Sequence, residues 1–412
     1  MAIVVQKFGG SSLADVEHIG RVADLVGRTA RTGQKLIVVV SAMGKTTEAL
    51  IETAQSVANF GSGTPLPNRG ALPRRELDML VTSGERVSMA LLSIALHARG
   101  VRAVSLTGSQ AGIVTSTLHF DARIREVRRE RILHELSGHD VVVVAGYQGV
   151  SPEREITTLG RGGSDTTAVA LAAAFGAERC EIYSDVDGVY TADPKRVRTA
   201  RHLPCLDYAT LQEMTDAGAK VLNARAVAWG REHGVRIHAR RTSDFQSGNV
   251  GRETRVFADQ TEPVRAIVVN RALAILSART RDVDRMLSAT TELSLDVRDI
   301  VGAGDRFYAT VPLLSAPDFA TARARLREHF PDGLDILDGY AELSAIGALA
   351  APAQAAAQTA AQTALQAHAE LPNAPLFSLT RGQRLTSILP LTELDSAERR
   401  WHQLFVEAAA TQ

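Results

Sequence analysis

The first 260 residues alternate between short apolar runs and longer segments with helical periodicity. The runs are rich in Val and Ile and are bounded by glycine or polar turns, as is typical of strands covered on both faces of a parallel sheet. They are Ile3–Phe8, Leu36–Val40, Val101–Leu106, Val141–Ala145 and Cys180–Tyr183. The helical segments between them are Val16–Thr29, Thr47–Asn59, Glu76–Ala98 and Thr166–Phe175. This alternation predicts an α/β domain with a mostly parallel sheet sandwiched by helices.

The pattern changes after Pro263, where strand-like segments outnumber helical ones. The predicted strands are Val264–Ser277, Leu293–Ile300, Arg306–Leu314, Leu334–Ser344 and Leu385–Leu391, and the predicted helices are Phe319–Phe330 and Ser396–Ala409. This order is typical of small α+β, ferredoxin-like modules. We therefore expect one domain over residues 1–262 and two modules over 263–343 and 344–412, which are free to interleave.

Two further segments have unusual compositions. Gly61–Arg75 is rich in Pro and Gly and is predicted to be a loop between helices. Ala348–Ala369 consists almost entirely of Ala, Gln and Thr. Its helix propensity favours a packed helix over a flexible linker, although composition alone leaves both open.

The composition is that of an ordinary folded protein, with 412 residues, 45% of them apolar, and equal numbers (46 each) of basic and acidic side chains. A balanced charge gives no general attraction to nucleic acid or to anionic membranes. No segment resembles a signal peptide or a membrane span of about 20 apolar residues, which favours a cytoplasmic location. The two cysteines, Cys180 and Cys205, exclude a disulfide scaffold and a cysteine-based metal site, and we expect both thiols to be buried in a reducing compartment.

Four glycine-bearing turns follow four of the predicted strands: Lys7–Ser12, Ser41–Thr47, Gly146–Gly149 and Gly160–Asp165. Loops that leave the carboxyl ends of parallel strands share one edge of the sheet, where ligands bind. Glycine lets main-chain amides approach an anion, and a following helix adds its positive end. The sequence Ser12-Leu13-Ala14-Asp15 predicts a capping box at the start of such a helix. Four such turns on one edge predict a phosphate site, although neither a P-loop nor the protein-kinase motifs are present.

Phosphoryl transfer requires positioning and positive charge more than covalent help from the protein. Lys7, Lys220 and the amides of Gly9 and Gly10 would supply that charge, together with Mg²⁺ bridging the phosphates. Asp165 is a candidate for holding the lysines, for capping the helix that follows it, or for both. Lys220 is equally compatible with a solvated helix position. Only five of the 46 basic residues are lysines, and four of these lie in the motifs discussed here.

Several longer motifs occur in order over residues 1–260, and with them the chain resembles the aspartokinases of the amino-acid kinase family. They are KFGGSS, VVVSAMGKTTEAL, RELDMLVTSGE, GSQAGIVT, AGAKVL and the block TTLGRGGSDTTAVALAAAFGAERCEIYSDVDGVYTADPKRV. The resemblance implies ATP-dependent phosphorylation of the side-chain carboxylate of L-aspartate to 4-phospho-L-aspartate. A carboxylate acceptor is already ionised at neutral pH, so it needs no general base.

The resemblance also implies a role for each residue that matches a family motif. The implied catalytic residues are Lys7, Gly9, Gly10, Asp165 and Lys220. The implied aspartate-binding residues are Ser41, Thr47, Glu85, Tyr147, Arg161 and Ser164, and the implied ATP-binding residues are Lys7, Ser184, Asp185, Tyr190, Lys195 and Lys220. Arg161 suits the α-carboxylate and Glu85 the α-ammonium, although Glu85 could also be a solvent-facing helix residue. No protein ligand to a metal is implied, because Mg²⁺ would be held through the nucleotide phosphates.

The chain departs from the family pattern at several points. Ser11 stands where Thr is common, and Asn223 stands where His is usual. The last 150 residues resemble tandem ACT modules, which bind feedback amino acids, but the usual effector loops are replaced by Arg279–Val283 and Gly347–Pro352. We therefore expect lysine and threonine to inhibit weakly or not at all, unless altered loops bind another effector. The modules imply a homodimer.

Two alternatives remain open at this stage. A paralogous kinase would use the same fold with a different acidic acceptor, and a non-catalytic regulatory partner would have no activity. The presence of Lys7, Asp165, Arg161 and Lys220 favours an active enzyme. The sequence leaves the downstream pathway, and a dimer versus a tetramer, undecided.

Overall fold

The computed structural model describes residues 2–60, 72–219, 221–246, 251–257, 264–293, 295–316, 319–347, 362–363, 366 and 372–408. The predicted loop at 61–75 and the predicted helix at 348–369 lie largely outside these residues, as does Lys220.

The largest sheet within the described residues has eight strands. Their spatial order is Cys205–Leu206, Glu253–Val256, Ile237–Arg241, Arg179–Ser184, Ile3–Phe8, Lys35–Val40, Val141–Ala145 and Ala103–Leu106. All neighbouring pairs are parallel except Ile237–Arg241 with Glu253–Val256. The predicted α/β fold with a mostly parallel sheet is therefore confirmed.

The central strands are apolar throughout because helices cover both faces of this sheet. Successive side chains along a strand point to opposite faces. Val5, Ile37 and Val39 accordingly pack into one hydrophobic core and Val4, Leu36 and Val38 into another. The helices of this part of the chain are Val16–Ala30, Thr46–Asn59, Arg74–His97, Glu130–Gly138, Gly163–Ala174, Tyr208–Asp216, Ala224–His233 and Thr242–Gln246, with a 3₁₀ turn at Gly10–Leu13.

Two smaller sheets lie beside the main one. A four-stranded sheet has the order Ile124–Val127, Ile113–Thr115, Gln148–Val150 and Ile156–Thr158, and Val189–Tyr190 pairs with His202–Leu203 in a two-stranded ribbon. None of these strands was predicted, because strands of two to four residues contain too few positions to establish a period of two.

The predicted capping box at residues 12 to 15 is wrong. The N-cap of helix Val16–Ala30 is Asp15, whose side chain accepts a hydrogen bond from the His18 amide (2.9 Å). Ser12 lies in the preceding 3₁₀ turn and bonds the Thr242 hydroxyl instead (2.6 Å). Asp is among the best N-cap residues, so the helix starts at the aspartate rather than three residues earlier.

The C-terminal part contains two four-stranded antiparallel sheets. One has the order Ala266–Asn270, Tyr340–Ile346, Arg384–Pro390 and Phe377–Arg381, and the other Arg298–Ala303, Arg306–Pro312, Leu273–Arg279 and Leu334–Leu337. Their helices are Val283–Glu292, Phe319–His329, Leu394–Trp401 and the π-helix His402–Glu407, with 3₁₀ turns at Thr280–Asp282 and Leu313–Ser315.

The two C-terminal units interleave. The first strand of one sheet, Ala266–Asn270, is followed by the whole second sheet before its partner strand Tyr340–Ile346 begins. That strand crosses the predicted module boundary at residues 343 and 344, so the chain does not divide there. The other boundary stays a prediction.

Three predicted strands of the C-terminal part have different limits in the structure. Residues 264–277 and 334–344 each form two strands, because the chain turns at Asn270, whose side chain accepts from the Ala272 amide (3.1 Å), and at Gly339, whose φ is +84°. The strand predicted from Leu293 begins at Arg298, because the Leu293 amide still bonds the Ala289 carbonyl (3.1 Å) at the end of a helix.

Two expectations from composition need correction. Contrary to the expectation from the sequence, helix Arg74–His97 is long and apolar enough to cross a membrane. However, 44% of its most apolar 18-residue stretch is buried inside the protein, and the helix packs against helix Val16–Ala30. Of the two cysteines, Cys180 is buried as expected, whereas Cys205 is only half-buried.

Candidate active site

The strand register brings the predicted loops to one edge of the main sheet. Phe8 pairs with Val40 on one side and with Tyr183 on the other, and Val40 pairs with Ala145. These four residues end their apolar runs in one row across the sheet. The loops that follow them, starting at Gly9, Ser41, Gly146 and Ser184, therefore leave from the same edge.

An ion pair lies at this edge. The Lys7 Nζ atom is 2.7 Å from the Asp165 Oδ1 atom, and the two side chains are only 11% and 13% exposed. Lys7 comes from the strand Ile3–Phe8, and Asp165 lies in the first turn of helix Gly163–Ala174. A lysine held near a helix N-terminus, where amides also carry positive partial charge, is suited to binding an anion.

The Gly9–Gly10 turn touches the loop that follows the next strand. A Cβ atom on Gly10 would lie 2.8 Å from the Gly44 carbonyl oxygen and 2.9 Å from that of Ala42, so a side chain does not fit. The Gly44 amide donates to the Gly10 carbonyl (3.0 Å). The Gly9 amide donates to the Tyr183 carbonyl (3.2 Å), so it is already engaged and the predicted phosphate contact would rest on Gly10.

Glu85 is buried beside this turn. The interpretation of Glu85 as a solvent-facing helix residue is therefore wrong. It is only 3% exposed, and its Oε1 atom accepts a hydrogen bond from the Ala42 amide (3.2 Å). Its Oε2 atom is buried without a hydrogen-bond partner among the described residues. Burial raises the pKa of the Glu85 carboxyl to about 7. A buried carboxylate oxygen without a donor is a site for a cationic group.

Tyr147 and Ser164 pack against glycines at the same edge. A Cβ atom on Gly163 would lie 2.8 Å from the Tyr147 ring, and one on Gly146 would lie 2.9 Å from the Ser164 hydroxyl oxygen. Tyr147 has a φ of +68°, a conformation that non-glycine residues rarely adopt. Burial raises the pKa of its phenol to about 12, so Tyr147 is neutral at physiological pH.

Arg161 is exposed on the loop between Gly160 and Gly162, both of which have positive φ. Two residues that sequence reasoning did not place in the site hold this loop. The Asn223 side-chain amide donates to the Arg161 carbonyl (2.9 Å), and Arg225 donates to the Leu159 carbonyl (2.9 Å).

Asn223 has a second role as the N-cap of helix Ala224–His233, where its side chain accepts from the Arg225 amide (2.9 Å). In the family pattern, Asn223 stands only as a replacement for the usual histidine. An asparagine directly before a helical run was the available signal.

The remaining predicted residues are more dispersed. Thr47 is half-buried in the first turn of helix Thr46–Asn59. Ser184 is the last residue of strand Arg179–Ser184 at the common edge, and Asp185 follows it. Tyr190 donates its hydroxyl hydrogen to the buried Asp187 carboxylate (3.0 Å), and Lys195 is exposed farther along the same loop.

Asp78 is a further buried carboxylate that was missed. It accepts hydrogen bonds from the Thr158 hydroxyl (2.6 Å), the His119 ring (2.6 Å) and the Phe120 amide (3.2 Å). It lies two turns before Glu85 on helix Arg74–His97, on the same buried face. The only signal in the sequence was the spacing i, i+7 of two carboxylates in an apolar helix.

The described residues contain no group of three or more His, Cys, Asp or Glu side chains able to hold a metal ion.

A family model described as the amino acid kinase family matches residues 2–240. The chain belongs to the amino acid kinase family. The aspartokinase of Mycobacterium tuberculosis is 49% identical over 251 residues, which are 61% of this chain and 57% of that protein. The chain thus spans less than two thirds of the length of this curated relative.

Solved structures extend the similarity beyond the kinase domain. The aspartate kinase from Synechocystis is 30% identical, with a TM-score of 0.55, and the alignment covers 98% of this chain and 69% of that one. E. coli aspartokinase III in complex with aspartate and ADP (R-state) has a TM-score of 0.80 at 22% identity, covering 97% of this chain and 99% of that one. The latter similarity establishes the common fold.

Proposed function

We propose that this protein is an aspartokinase, which transfers the terminal phosphoryl group of ATP to the side-chain carboxylate of L-aspartate and forms 4-phospho-L-aspartate. The observation that carries the proposal is the arrangement of two unlike charges around one turn. Lys7 lies under the Gly9–Gly10 turn, and Ala42, which touches Gly10, bonds the buried Glu85 carboxylate. One charge suits a phosphate and the other an ammonium, as the phosphorylation of an amino acid requires.

In this mechanism, Lys7 stabilises the negative charge of the migrating phosphoryl group. Asp165 holds the Lys7 ammonium in place at 2.7 Å, and the Gly10 amide and the N-terminus of helix Gly163–Ala174 add further positive charge. Mg²⁺, bound through the nucleotide phosphates, would neutralise charge on the phosphate oxygens. The acceptor carboxylate is ionised at neutral pH, so no residue has to remove a proton.

The amino-acid substrate would be held by both of its α-substituents. The Glu85 Oε2 atom, which has no hydrogen-bond partner among the described residues, receives the α-ammonium, and the exposed Arg161 guanidinium receives the α-carboxylate. Ser41, Thr47 and Ser164 supply hydroxyl groups, and the Tyr147 ring forms one wall. This places the side-chain carboxylate toward Lys7.

The nucleotide would lie against the next loop of the same edge. We assign Ser184, Asp185 and Tyr190 to the nucleoside and Lys195 to the phosphates, with Lys220, outside the described residues, as a second lysine. We also propose a cytoplasmic location and a homodimer formed through the C-terminal sheets, whose mass in solution can be measured by light scattering.

The decisive experiment measures ADP release by the purified protein with aspartate, glutamate and N-acetylglutamate as acceptors. We expect turnover with aspartate, and trapping with hydroxylamine should yield aspartyl hydroxamate. Turnover with another acceptor alone would favour the paralogous kinase. ADP release with none of the three, under conditions in which ATP binds, would favour a non-catalytic partner.

The same assay tests the proposed weak feedback. Residues 280–282 form a 3₁₀ turn between strand Leu273–Arg279 and its helix, and Gly347, with a φ of +71°, ends the strand of the other unit. Saturating lysine plus threonine should leave most of the activity intact. Loss of most activity would show that these turns still form an effector site.

A further inference from the structure

The loop at residues 191–201 joins the two strands of the ribbon, so it directly follows Tyr190, and it carries Lys195. It packs against the C-terminal helices. Thr191, directly after Tyr190, is only 3% exposed, and its hydroxyl oxygen lies 2.9 Å from the Nε2 atom of His402. His402 is completely buried at the start of the π-helix His402–Glu407. π-Helical turns are rare and are frequently found at functional sites.

The imidazole of His402 lies within a continuous chain of hydrogen bonds. Its Nδ1 atom is 2.8 Å from a Glu407 carboxylate oxygen, to which the Thr199 hydroxyl also donates (2.5 Å). The Arg201 amide donates to the Thr191 hydroxyl oxygen (2.9 Å), which leaves the Thr191 hydrogen for His402. With a hydrogen on its Nδ1 atom, the imidazole donates to Glu407 and its Nε2 atom accepts from Thr191, so each of these groups has a partner. Thr191 and Thr199, at the two ends of the loop, are thereby joined to one helix.

Main-chain and apolar contacts reinforce this attachment. The Ile267 amide donates to the Thr191 carbonyl (2.7 Å). Ala192 and Val197 are buried in the same hydrophobic core as Trp401 and Ile267. Lys195, by contrast, is exposed between these two anchored apolar residues. The C-terminal unit therefore fixes the inner side of the loop and leaves its outer side accessible to a ligand.

We propose that His402 and Thr191 are positioning residues for the nucleotide, because they hold the loop that presents Tyr190 and Lys195. This inference rests on the proposed function, in which those two residues bind ATP. Since neither His402 nor Thr191 is itself assigned a nucleotide contact, the two act through the loop. By thermodynamic linkage, a bound nucleotide in turn stabilises the docked C-terminal helix.

The test compares two substitutions of Thr191, of which one removes the hydroxyl group and the other keeps it. At nearly constant volume, Thr191→Val removes the hydroxyl group that bonds His402 and accepts from the Arg201 amide, whereas Thr191→Ser retains that hydroxyl group. Thr386→Val is the matched control, because Thr386 forms a buried hydroxyl pair with Ser344 (2.8 Å) in the same sheet as Ile267 but is not bonded to the loop. Calorimetric titration of the full chain with Mg²⁺-ADP gives the dissociation constant, and steady-state kinetics give the KM for each substrate.

We expect Thr191→Val to weaken ADP binding about 5- to 50-fold, within the usual range of coupling between sites. It should raise the KM for ATP by a similar factor and leave the KM for aspartate unchanged. Thr191→Ser should restore binding, and Thr386→Val should lower only the Tm. Trp401 emission, read in a Trp229→Phe background, would report whether the C-terminal helix remains docked, because the chain has only two tryptophans.

The possible failures are distinguishable. If the wild-type protein binds ADP and Thr191→Val binds it equally well, the positioning role is wrong and the proposed kinase activity is unaffected. Equal losses of affinity in Thr191→Val and Thr386→Val would also overturn the positioning role, since both would then reflect general destabilisation. A wild-type protein that binds no ADP would overturn both the nucleotide site and the inference.

Discussion

Two lysine–aspartate pairs lie at opposite ends of the main sheet and differ in what surrounds them. Lys7 and Asp165 meet at the carboxyl edge, with 11% and 13% of their side chains exposed. Lys35 and Asp140 meet at the amino edge at 3.2 Å, with 11% and 31% exposed. Only the first pair adjoins the glycine turns. The same type of ion pair should therefore have a catalytic role at one end of the sheet and a structural role at the other.

This contrast gives a matched test of the Lys7 role. Lys7→Met should lower kcat at least about 10²-fold, because it removes the charge that stabilises the migrating phosphoryl group. Lys35→Met should change the Tm and leave kcat within about twofold, as expected of a structural substitution. Stopped assays on the two variants, with circular dichroism melts, provide the comparison. A Lys7→Met enzyme with normal kcat would contradict the mechanism.

The raised pKa of Glu85 predicts a pH dependence of substrate binding. With a pKa of about 7, the carboxyl is ionised in only part of the free enzyme at neutral pH. The KM for aspartate should therefore fall as the pH rises from about 6 to about 8, where Glu85 becomes fully able to pair with the α-ammonium. Glu85→Gln should have a KM at least about tenfold higher that is flat over this range. A pH-dependent KM in the Gln variant would assign the titration to another group.

The raised pKa of Glu85 should also make the unliganded protein less stable at high pH. Because folding raises the pKa of Glu85 above its ordinary value of 4.5, its contribution to stability is fully present below about pH 4.5 and is lost as the pH rises through about 7. Glu85→Gln should therefore raise the Tm at about pH 8 and leave it nearly unchanged at about pH 4.5. Melts at both values, without substrate, provide the measurement.

Asn223 permits its two roles to be separated by substitution. Asn223→Asp keeps a side-chain acceptor for the N-cap but replaces the donor to the Arg161 carbonyl with a carboxylate. It should raise the KM for aspartate several-fold with little loss of stability, whereas Asn223→Ala should also lower stability by about 1 kcal/mol through loss of the cap. Kinetics and urea unfolding of both variants test this, and an unchanged KM in both would exclude Asn223 from the site.

At the scale of elements, Gly84 allows helix Arg74–His97 to lie in close contact with Ala42, in the loop after strand Lys35–Val40. A Cβ atom on Gly84 would lie 2.7 Å from the Ala42 Cβ atom, whereas one on Gly138, at the end of another helix, would meet nothing within 4 Å. Gly84→Ala should therefore reduce aspartate binding and stability by moving Ala42 and the Glu85 carboxylate apart. Gly138→Ala should instead stabilise by about 0.5–1 kcal/mol, the usual gain in a helix. Equal behaviour of the two variants in urea unfolding and kinetics would contradict this account.

The elements that could be predicted are those whose burial produces a long pattern. The strands Ile3–Phe8 and Val141–Ala145 lie in the middle of a sheet covered on both faces, and they have the limits that their apolar runs predict. Strands such as Ile113–Thr115 are too short to show a period. Turns inside apolar runs, as at Asn270 and Gly339, depend on single side-chain contacts or backbone angles that a hydrophobic pattern does not record.

The candidate site was predictable to a similar extent. The glycine turns and Lys7 follow from strand ends, which fix their common edge before any contact is known. The contacts of Asn223 with Arg161 and of His402 with Thr191 could not be foreseen, because each joins atoms separated by 62 or more residues along the chain. Only the tertiary fold brings these partners together.

At the scale of the whole molecule, an ionic cluster around the buried Arg384 side chain joins the two C-terminal sheets to helix Tyr208–Asp216. The Arg384 guanidinium lies 3.4 Å from Glu342, 3.7 Å from Asp299 and 3.7 Å from Glu213. Glu342 and Asp299 belong to the two C-terminal sheets. Glu213 belongs to helix Tyr208–Asp216, which shares a hydrophobic core with the eight-stranded sheet. Burial raises the pKa of Glu342 to about 7, and the positive charge of the nearby Arg384 opposes that rise.

Removing the arginine alone should leave the buried Glu342 carboxyl group without its ion-pair partner, whereas Asp299 still has Arg381 at 3.9 Å. We expect Arg384→Met to lower the free energy of unfolding by about 3–5 kcal/mol, and a second change, Glu342→Leu, to restore part of that loss. Urea unfolding of the single and double variants measures both effects. Additive losses would show that the two groups do not interact.

The insertion of one C-terminal unit into the other dictates an order of assembly on the ribosome. Strand Ala266–Asn270 emerges early, yet its neighbour Tyr340–Ile346 follows only some 70 residues later, after the inserted sheet has been translated. The inserted sheet can form while strand Ala266–Asn270 still lacks its partner strand, because the strand pairings of the inserted sheet are more local in sequence. His402 emerges after both. Every newly made molecule therefore passes through a stage in which all strands of the main sheet have been synthesised but His402, which anchors the loop between Tyr190 and His202, has not.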